Sequence, residues 1–483
     1  MGMDHFEYLD GTLHAEKVAI PALAEAVGTP FYVYSTATLQ RHFNRFNDAL
    51  KDYPRKICFA VKANPNLAVL RTLGNQGAGA DVVSEGEIRL AQAAGIEPQH
   101  IVFSGVGKTK EEMAYALKEG IFQFNAESAF ELEMLNEVAA SLGVQAPVAL
   151  RVNPDVDPKT HAKISTGMSE NKFGIAFDQV RDAYAHAATL PYLQVQGISM
   201  HIGSQLTDLT PFRQAFRAML SMVEQLRADG HTIQTLDLGG GLGIPYGDSP
   251  TPPPDPLAYA EAVKAEIPHF DGTLLFEPGR MIAGNAGILV TKVIATKQGG
   301  SQHFLIVDAG MNDLMRPAMY DAFHEVVSCQ LSVVSGEKEA RSADRASAPD
   351  NSGNYAGERK LERSGGEQSI QKSSCRWHAN VNRWTAARRG RTFEGPLKNY
   401  TIVGPVCESS DVFGKDRLLP PTQAGDLLAF RTCGAYGASM SNRYNARPLV
   451  PEVLVDGENW AITRPRESYQ QIVGSYRLPD WLE

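Results

Sequence analysis

The sequence predicts an α/β protein: a (β/α)8 barrel followed by a smaller β-domain of sandwich or barrel-like form. Three observations predict it. Between residues 57 and 279, short apolar runs alternate with helical patterns. Such alternation implies a parallel sheet with right-handed crossovers, and about eight units in roughly 250 residues is the pattern of a closed barrel. The ends of those apolar runs gather polar residues and glycines, and barrels build their sites there. After Gly287 the apolar runs recur without long helices between them.

The expected barrel strands are 57–63, 80–84, 101–105, 122–126, 148–153, 195–202, 235–241 and 274–279. Helical patterns fill 85–94, 110–119, 128–142 and 211–228. Beyond them, 288–296, 304–308, 400–406, 426–431 and 451–455 read as strands of the second domain. The expected division is 33–287 for the barrel, with 1–32 and 288–483 in the β-domain. The run Phe31-Tyr-Val-Tyr34 is a candidate to cross over into that domain. Residues 328–396 are rich in Ser, Arg, Gly, Glu and Asn and show no lasting periodicity, so they read as a disordered insertion within the β-domain.

At 483 residues the chain exceeds one small core. A hydrophobic fraction of 43% with 21% charged residues is that of a soluble globular enzyme, and a net charge of -9 argues against nucleic acid or an anionic membrane as the main partner. The start, Met1-Gly-Met-Asp-His-Phe, lacks the basic and apolar stretches of a signal peptide. The five cysteines, Cys58, Cys329, Cys375, Cys407 and Cys433, have neither metal-ligand nor disulfide spacing. No metal is expected, and a reducing cytoplasm is.

Lys62 is the most informative residue. It closes the run Cys58-Phe-Ala-Val-Lys62, where Ile57, Phe59 and Val61 form strand and Asn64-Pro65-Asn66 ends it. Burial there disfavours the charged amine and favours its use as a nucleophile. Such lysines form Schiff bases with carbonyl compounds, pyridoxal 5'-phosphate (PLP) above all. The bland alternative is a strand-end lysine reaching solvent.

The later strand ends weigh against that alternative. Gly239-Gly240-Gly241 lets backbone N–H groups approach an anion, and Ser204 adds a hydroxyl. The loop lacks the G-x-G-x-x-G spacing of dinucleotide sites. His201 can stack on a flat ring. Glu277, in Phe-Glu277-Pro278-Gly279-Arg280, can meet a pyridine nitrogen, and Arg280 can grip a carboxylate. Singly, these residues read as a core histidine, a turn and a rim ion pair. The β-domain adds Arg316 with Tyr320, Cys407 with Glu408, and Tyr436 in Gly434-Ala-Tyr-Gly.

Together these motifs resemble those of the PLP-dependent diaminopimelate decarboxylases, which have an alanine racemase-like fold. The matching stretches are Phe59-Ala-Val-Lys-Ala-Asn-Pro65, His201-Ile-Gly-Ser-Gln205, the Gly239 loop, Glu277 through Gly287, Met311 through Tyr320, Cys407-Glu-Ser-Ser-Asp411 and Gly434-Ala-Tyr-Gly437. The resemblance spans nearly the whole chain apart from the insertion. It implies PLP on Lys62, with His201 on the ring. Ser204, Gly239, Gly240, Gly241, Pro278, Gly279 and Arg280 hold the cofactor, and Glu277 faces its pyridine nitrogen. Arg280, Arg316, Tyr320 and Glu408 contact substrate, Tyr436 lies near phosphate and substrate, and Cys407 is the proton donor. It further implies a homodimer in which Cys407 and Glu408 reach the other subunit's site.

The reaction so implied is decarboxylation of meso-2,6-diaminopimelate to L-lysine and CO2. A decarboxylase of ornithine, arginine or carboxynorspermidine, an amino-acid racemase and a catalytically silent paralogue are the alternatives.

Overall fold

Inward-facing polar residues, rather than the outer helices, position the site in this barrel. A computed structural model describes residues 4–157, 172–247, 252–331 and 396–482. Eight parallel strands form the barrel: β1 (Arg55–Ala60), β2 (Gly79–Val82), β3 (Ile101–Phe103), β4 (Gln123–Ala126), β5 (Ala146–Asn153), β6 (Leu193–Met200), β7 (Thr235–Asp237) and β8 (Thr273–Phe276). The ring closes where β8 pairs with β1, Phe276 opposite Ile57, and where β4 pairs with β5, Phe124 opposite Val148. All eight expected strands are present. Most stop two to four residues short of the expected end, because the terminal polar and glycine residues turn out of the ladder into site loops.

The crossover helices start where local chemistry starts them. Ser84 and Ser128 accept the N–H groups of Glu87 and Glu131 at 3.3 and 3.2 Å. Thr109 and Glu112 form a reciprocal capping box. Each such cap typically contributes about 1 kcal/mol. The helices Glu85–Ala93, Lys110–Glu119, Ala129–Leu142 and Thr210–Ala228 match the expected spans closely. Their apolar faces bury residues such as Ile88, Met113, Leu135 and Phe216 against the barrel.

Inside the barrel a period of two sends alternate residues inward. On β4, Gln123 and Asn125 are buried polar residues two apart. Gln123 Nε2 donates to Asn125 Oδ1 at 2.8 Å, and Gln123 Oε1 accepts the Thr235 hydroxyl at 2.7 Å. Asn125 Nδ2 reaches Asp237 at 3.0 Å and Glu277 at 3.2 Å. Gln123, Asn125, Thr235, Asp237 and Glu277 are therefore linked in one buried polar network.

A nine-stranded sheet packs beside the barrel in the same compact unit. Its hub is the 13-residue strand Gly287–Gly299, which pairs with Gln302–Val307, Leu427–Phe430 and Phe31–Ser35. The expected crossover of Phe31–Ser35 is real, and a boundary at residue 33 falls inside that strand. Val412–Leu419 and Asn459–Arg464 are further strands. They escaped the sequence reading because charged and turn-forming residues interrupt their apolar pattern. Phe6–Leu9, Thr12–Ala15 and Val18–Ala19 form a separate small sheet.

Most of the expected 328–396 insertion lies outside the described residues. Its lower edge is corrected. Ser328 ends the strand Val326–Ser328, and the carbonyl of buried Cys329 accepts Leu13 N–H at 2.9 Å.

Candidate active site

At the C-terminal mouth of the barrel is a cavity of about 440 Å³. Its walls include Lys62, His201, Ser204, Gly239–Gly241, Glu277–Arg280, Arg316, Tyr320 and Tyr436. Residues spread over nearly 380 positions of sequence thus meet in one space.

Lys62 does not end a strand. β1 stops at Ala60, and Val61–Ala63 is a single 3-10 turn. The Asn64 side chain donates to Gly434 O at 2.9 Å, and Ala63 O accepts Tyr436 N–H at 2.8 Å. The turn is therefore tied to the Tyr436 loop of the second sheet. Lys62 Nζ lies 3.1 Å from Asp81 Oδ2, and its side chain remains 40% exposed, open to the cavity. Burial opposes the ammonium charge, but Asp81 foremost outweighs it and holds this lysine above its ordinary range.

Glu277 and Asp237 are buried together. Burial and the negative charges of Asp237 and Asp81 push the Glu277 carboxyl well above the usual carboxylate range. Burial raises the Asp237 carboxyl as well, and the two side chains share a hydrogen bond. Asp237 Oδ1 accepts Gly239 N–H at 2.9 Å, so this carboxylate also anchors the glycine loop. A Cβ on Gly240 would sit 2.3 Å from the Glu277 carbonyl oxygen, so the close approach of loop and strand end requires glycine.

His201 accepts Gly240 N–H on Nδ1 at 3.2 Å. Burial, with Arg151 and Lys62 nearby, lowers its pKa well below 6.5. The ring is neutral and its Nδ1 carries no proton. The N–H groups of Gly239 and Gly240 are thus engaged within the site, which leaves Gly241 as the loop's donor to an anion.

Arg280 and Arg316 converge on Tyr246. Arg280 donates to the Tyr246 hydroxyl and to Ser204 Oγ, the latter at 3.0 Å. Its guanidinium stands 4.8 Å from the Tyr436 ring centre, and that of Arg316 stands 4.6 Å from the Tyr246 ring centre. Among the described residues, the titratable groups acting most on the two guanidiniums are tyrosines and, for Arg316, also Arg280 and Cys433, with no carboxylate among them. Two such buried guanidinium groups are chemically suited to a carboxylate.

Cys407 and Glu408 do not join this cavity. Both are exposed. Cys407 N–H donates to Asn445 Oδ1 at 3.0 Å, and Tyr444 Oη lies 3.5 Å from Glu408 Oε2. Sequence reasoning missed roles for Asp81, Asp237, Asn125, Tyr246 and Phe46, although the last two line the cavity. Asp237 directly precedes the glycine loop, and this was the available signal. Tyr246 carried none.

The residues fit PLP. Asp81 and Glu277 act on one lysine, Asp237 adjoins Glu277, and Asp81 Oδ1 is buried without a hydrogen-bond partner. This acid excess suits a cationic ring N–H. The Gly241 N–H and the Ser204 hydroxyl suit a phosphate, and Lys62 suits an aldehyde.

Comparison with known proteins agrees. Residues 36–284 match the model of the pyridoxal-dependent decarboxylase pyridoxal-binding domain, and 365–434 match that of the pyridoxal-dependent decarboxylase C-terminal sheet domain. The chain is 45% identical over 472 residues to the diaminopimelate decarboxylase of Vibrio cholerae, covering 97% of this chain and 98% of that one. It belongs to the diaminopimelate decarboxylase family. The Pseudomonas aeruginosa diaminopimelate decarboxylase is 44% identical, with 99% of this chain and 100% of that one covered. Among solved structures, a diaminopimelate decarboxylase from M. jannaschii in complex with L-lysine superposes with a TM-score of 0.82 at 34% identity over 99% of both chains. The Helicobacter pylori enzyme with L-lysine gives 0.78 at 34% identity, covering 94% of this chain and 98% of that one. The family is PLP-dependent, and the fold is the alanine racemase-like one. No helix among the described residues is long and apolar enough to cross a membrane.

Proposed function

We propose that this protein decarboxylates meso-2,6-diaminopimelate to L-lysine and CO2, the last step of lysine biosynthesis, with PLP held on Lys62. The observation that carries the reading is the Arg280–Arg316 pair, which has no carboxylate partner among the described residues and shares one cavity with Lys62. Ornithine or arginine would bring no distal carboxylate to such a pair.

Bound here, PLP supplies an electron sink for the charge left when CO2 departs. The chain supplies the rest. Glu277, backed by Asp237 and Asn125, would face the ring nitrogen and favour its protonated form. Neutral His201, with Nδ1 committed to Gly240, offers a flat face to the ring. Gly241, Ser204 and the 278–280 segment hold the phosphate end, with Tyr436 beside it. Arg280, Arg316 and Tyr320 hold the distal carboxylate and so orient the reacting Cα. Walls such as Phe46 and Tyr246 exclude water.

The proton returned to Cα comes from Cys407 of the partner subunit, and Glu408 of the partner subunit pairs with the distal ammonium. The exposure of both residues, away from their own chain's cavity, supports a homodimer with shared sites. A cytoplasmic location suits the scattered free thiols.

The test is release of L-lysine and CO2 from meso-2,6-diaminopimelate by the PLP-loaded protein, with ornithine and arginine as controls. Turnover of meso-diaminopimelate alone supports the reading, and turnover of ornithine or arginine in its place overturns it.

A further inference from the structure

Two of the buried arginines among the described residues meet carboxylates. Arg151 lies 2.8 Å from Glu127, and Arg431 lies 2.7 Å from Asp4. Arg316 is different. Its Nη1 donates to His324 Nε2 at 2.9 Å, and His324 is completely buried. The other ring nitrogen, Nδ1, lies 2.9 Å from Arg431 O and 3.4 Å from Cys433 Sγ. Because Nε2 accepts, Nδ1 carries the proton and donates to the Arg431 carbonyl. Both ring nitrogens are thus committed, and the ring packs edge-on to Tyr246 at 5.4 Å between centres.

We propose that His324 is a positioning residue that aims Arg316 at the distal carboxylate of the substrate without neutralising it. The proposal rests on the functional reading above. A guanidinium in a buried site needs an acceptor to fix its fork. A carboxylate in that place would fix it but cancel the charge the substrate needs. A neutral imidazole fixes it and leaves the charge intact. Burial and the Arg316 charge hold His324 down at about 3, and burial holds the Cys433 thiol up at about 12, so both stay neutral through the working range. Tyr246 serves Arg280 in the same way, as a neutral acceptor.

Three substitutions separate the elements of the claim. His324→Gln can keep both bonds, with its oxygen accepting from Arg316 and its NH2 donating to Arg431 O. His324→Leu removes the acceptor at similar size. His324→Glu keeps an acceptor but adds a negative charge. The probes are L-lysine, which retains the distal carboxylate, and 1,5-diaminopentane, which lacks it. Each is titrated into the PLP-loaded protein and followed by cofactor absorbance, and KM and kcat for meso-diaminopimelate are measured alongside.

The Leu and Glu proteins should bind L-lysine about 10-fold or more weakly, with KM raised in parallel. Their affinity for 1,5-diaminopentane and their PLP spectrum should be unchanged, and the Gln protein should stay within about 3-fold of wild type in L-lysine affinity. Unchanged L-lysine affinity in the Leu protein overturns the proposal. So does equal weakening of both probes, or loss of PLP from the Leu protein, because the role would then be structural. Should the Glu protein not fold, the Gln and Leu proteins decide. If wild type fails to turn over meso-diaminopimelate, the functional reading fails, while the two-probe titration still judges His324.

Discussion

Lys62 Nζ, in the turn after β1, lies 3.1 Å from Asp81 Oδ2 on β2, and this pair sets the charge on Lys62. The lysine's pKa is raised in the folded protein, so the pair's contribution to stability is fully present below about 10.5, the unfolded value, and is lost as pH rises through the higher folded value. In cofactor-free protein, Asp81→Asn should lower the lysine's pKa and enlarge the neutral fraction at pH 8. The rate of PLP uptake, followed by absorbance, should rise in the variant. In wild type it should climb by about tenfold per pH unit well past the pH at which the variant levels off. Identical pH profiles would remove Asp81 from this role.

Borohydride reduction of the holoprotein should fix PLP to the peptide bearing Lys62. Lys62→Ala should fold without a covalent cofactor. Recovery of the label on the buried Lys108 would move the site elsewhere; that amine already bonds Gly105 O, Asn125 O and Glu131.

Glu277→Gln should retain PLP, because the loop contacts survive. Its kcat should fall by about 100-fold, the order seen when one electrostatic partner of a reacting centre is lost. A kcat within a few-fold of wild type would mean that another group keeps the ring nitrogen protonated.

Cys407→Ala and Lys62→Ala proteins should each be nearly inactive. After subunit exchange, mixtures should regain activity, because one site of a mixed dimer receives both intact residues. Failure to recover, with exchange demonstrated by mass-tagged chains, would place both residues in one chain's site.

Gly240→Ala should destabilise the protein by about 1–3 kcal/mol, because the added Cβ would press on the Glu277 carbonyl at 2.3 Å. Denaturant unfolding measures this. Cofactor affinity should fall with it, because His201 Nδ1 loses a well-placed N–H.

Much of this was legible from the sequence alone. Strand–helix alternation and turn residues such as Asn64-Pro65 act within a few positions of one another, so the chain's own pattern determined the barrel and its order. The chemical types at strand ends, Lys62, His201, the Gly239 loop, Glu277 and Arg280, were readable for the same reason. What only the tertiary structure decided is which of these groups touch. Asn125 meets Asp237 and Glu277 across 112 and 152 positions of sequence. Asp81 governs the charge on Lys62, and His324 meets Arg316 on a neutral ring nitrogen. Strand ends lying far apart in sequence become neighbours only when the barrel closes. Proton positions and charge then follow from burial and ångström-scale separations, which depend on the whole fold.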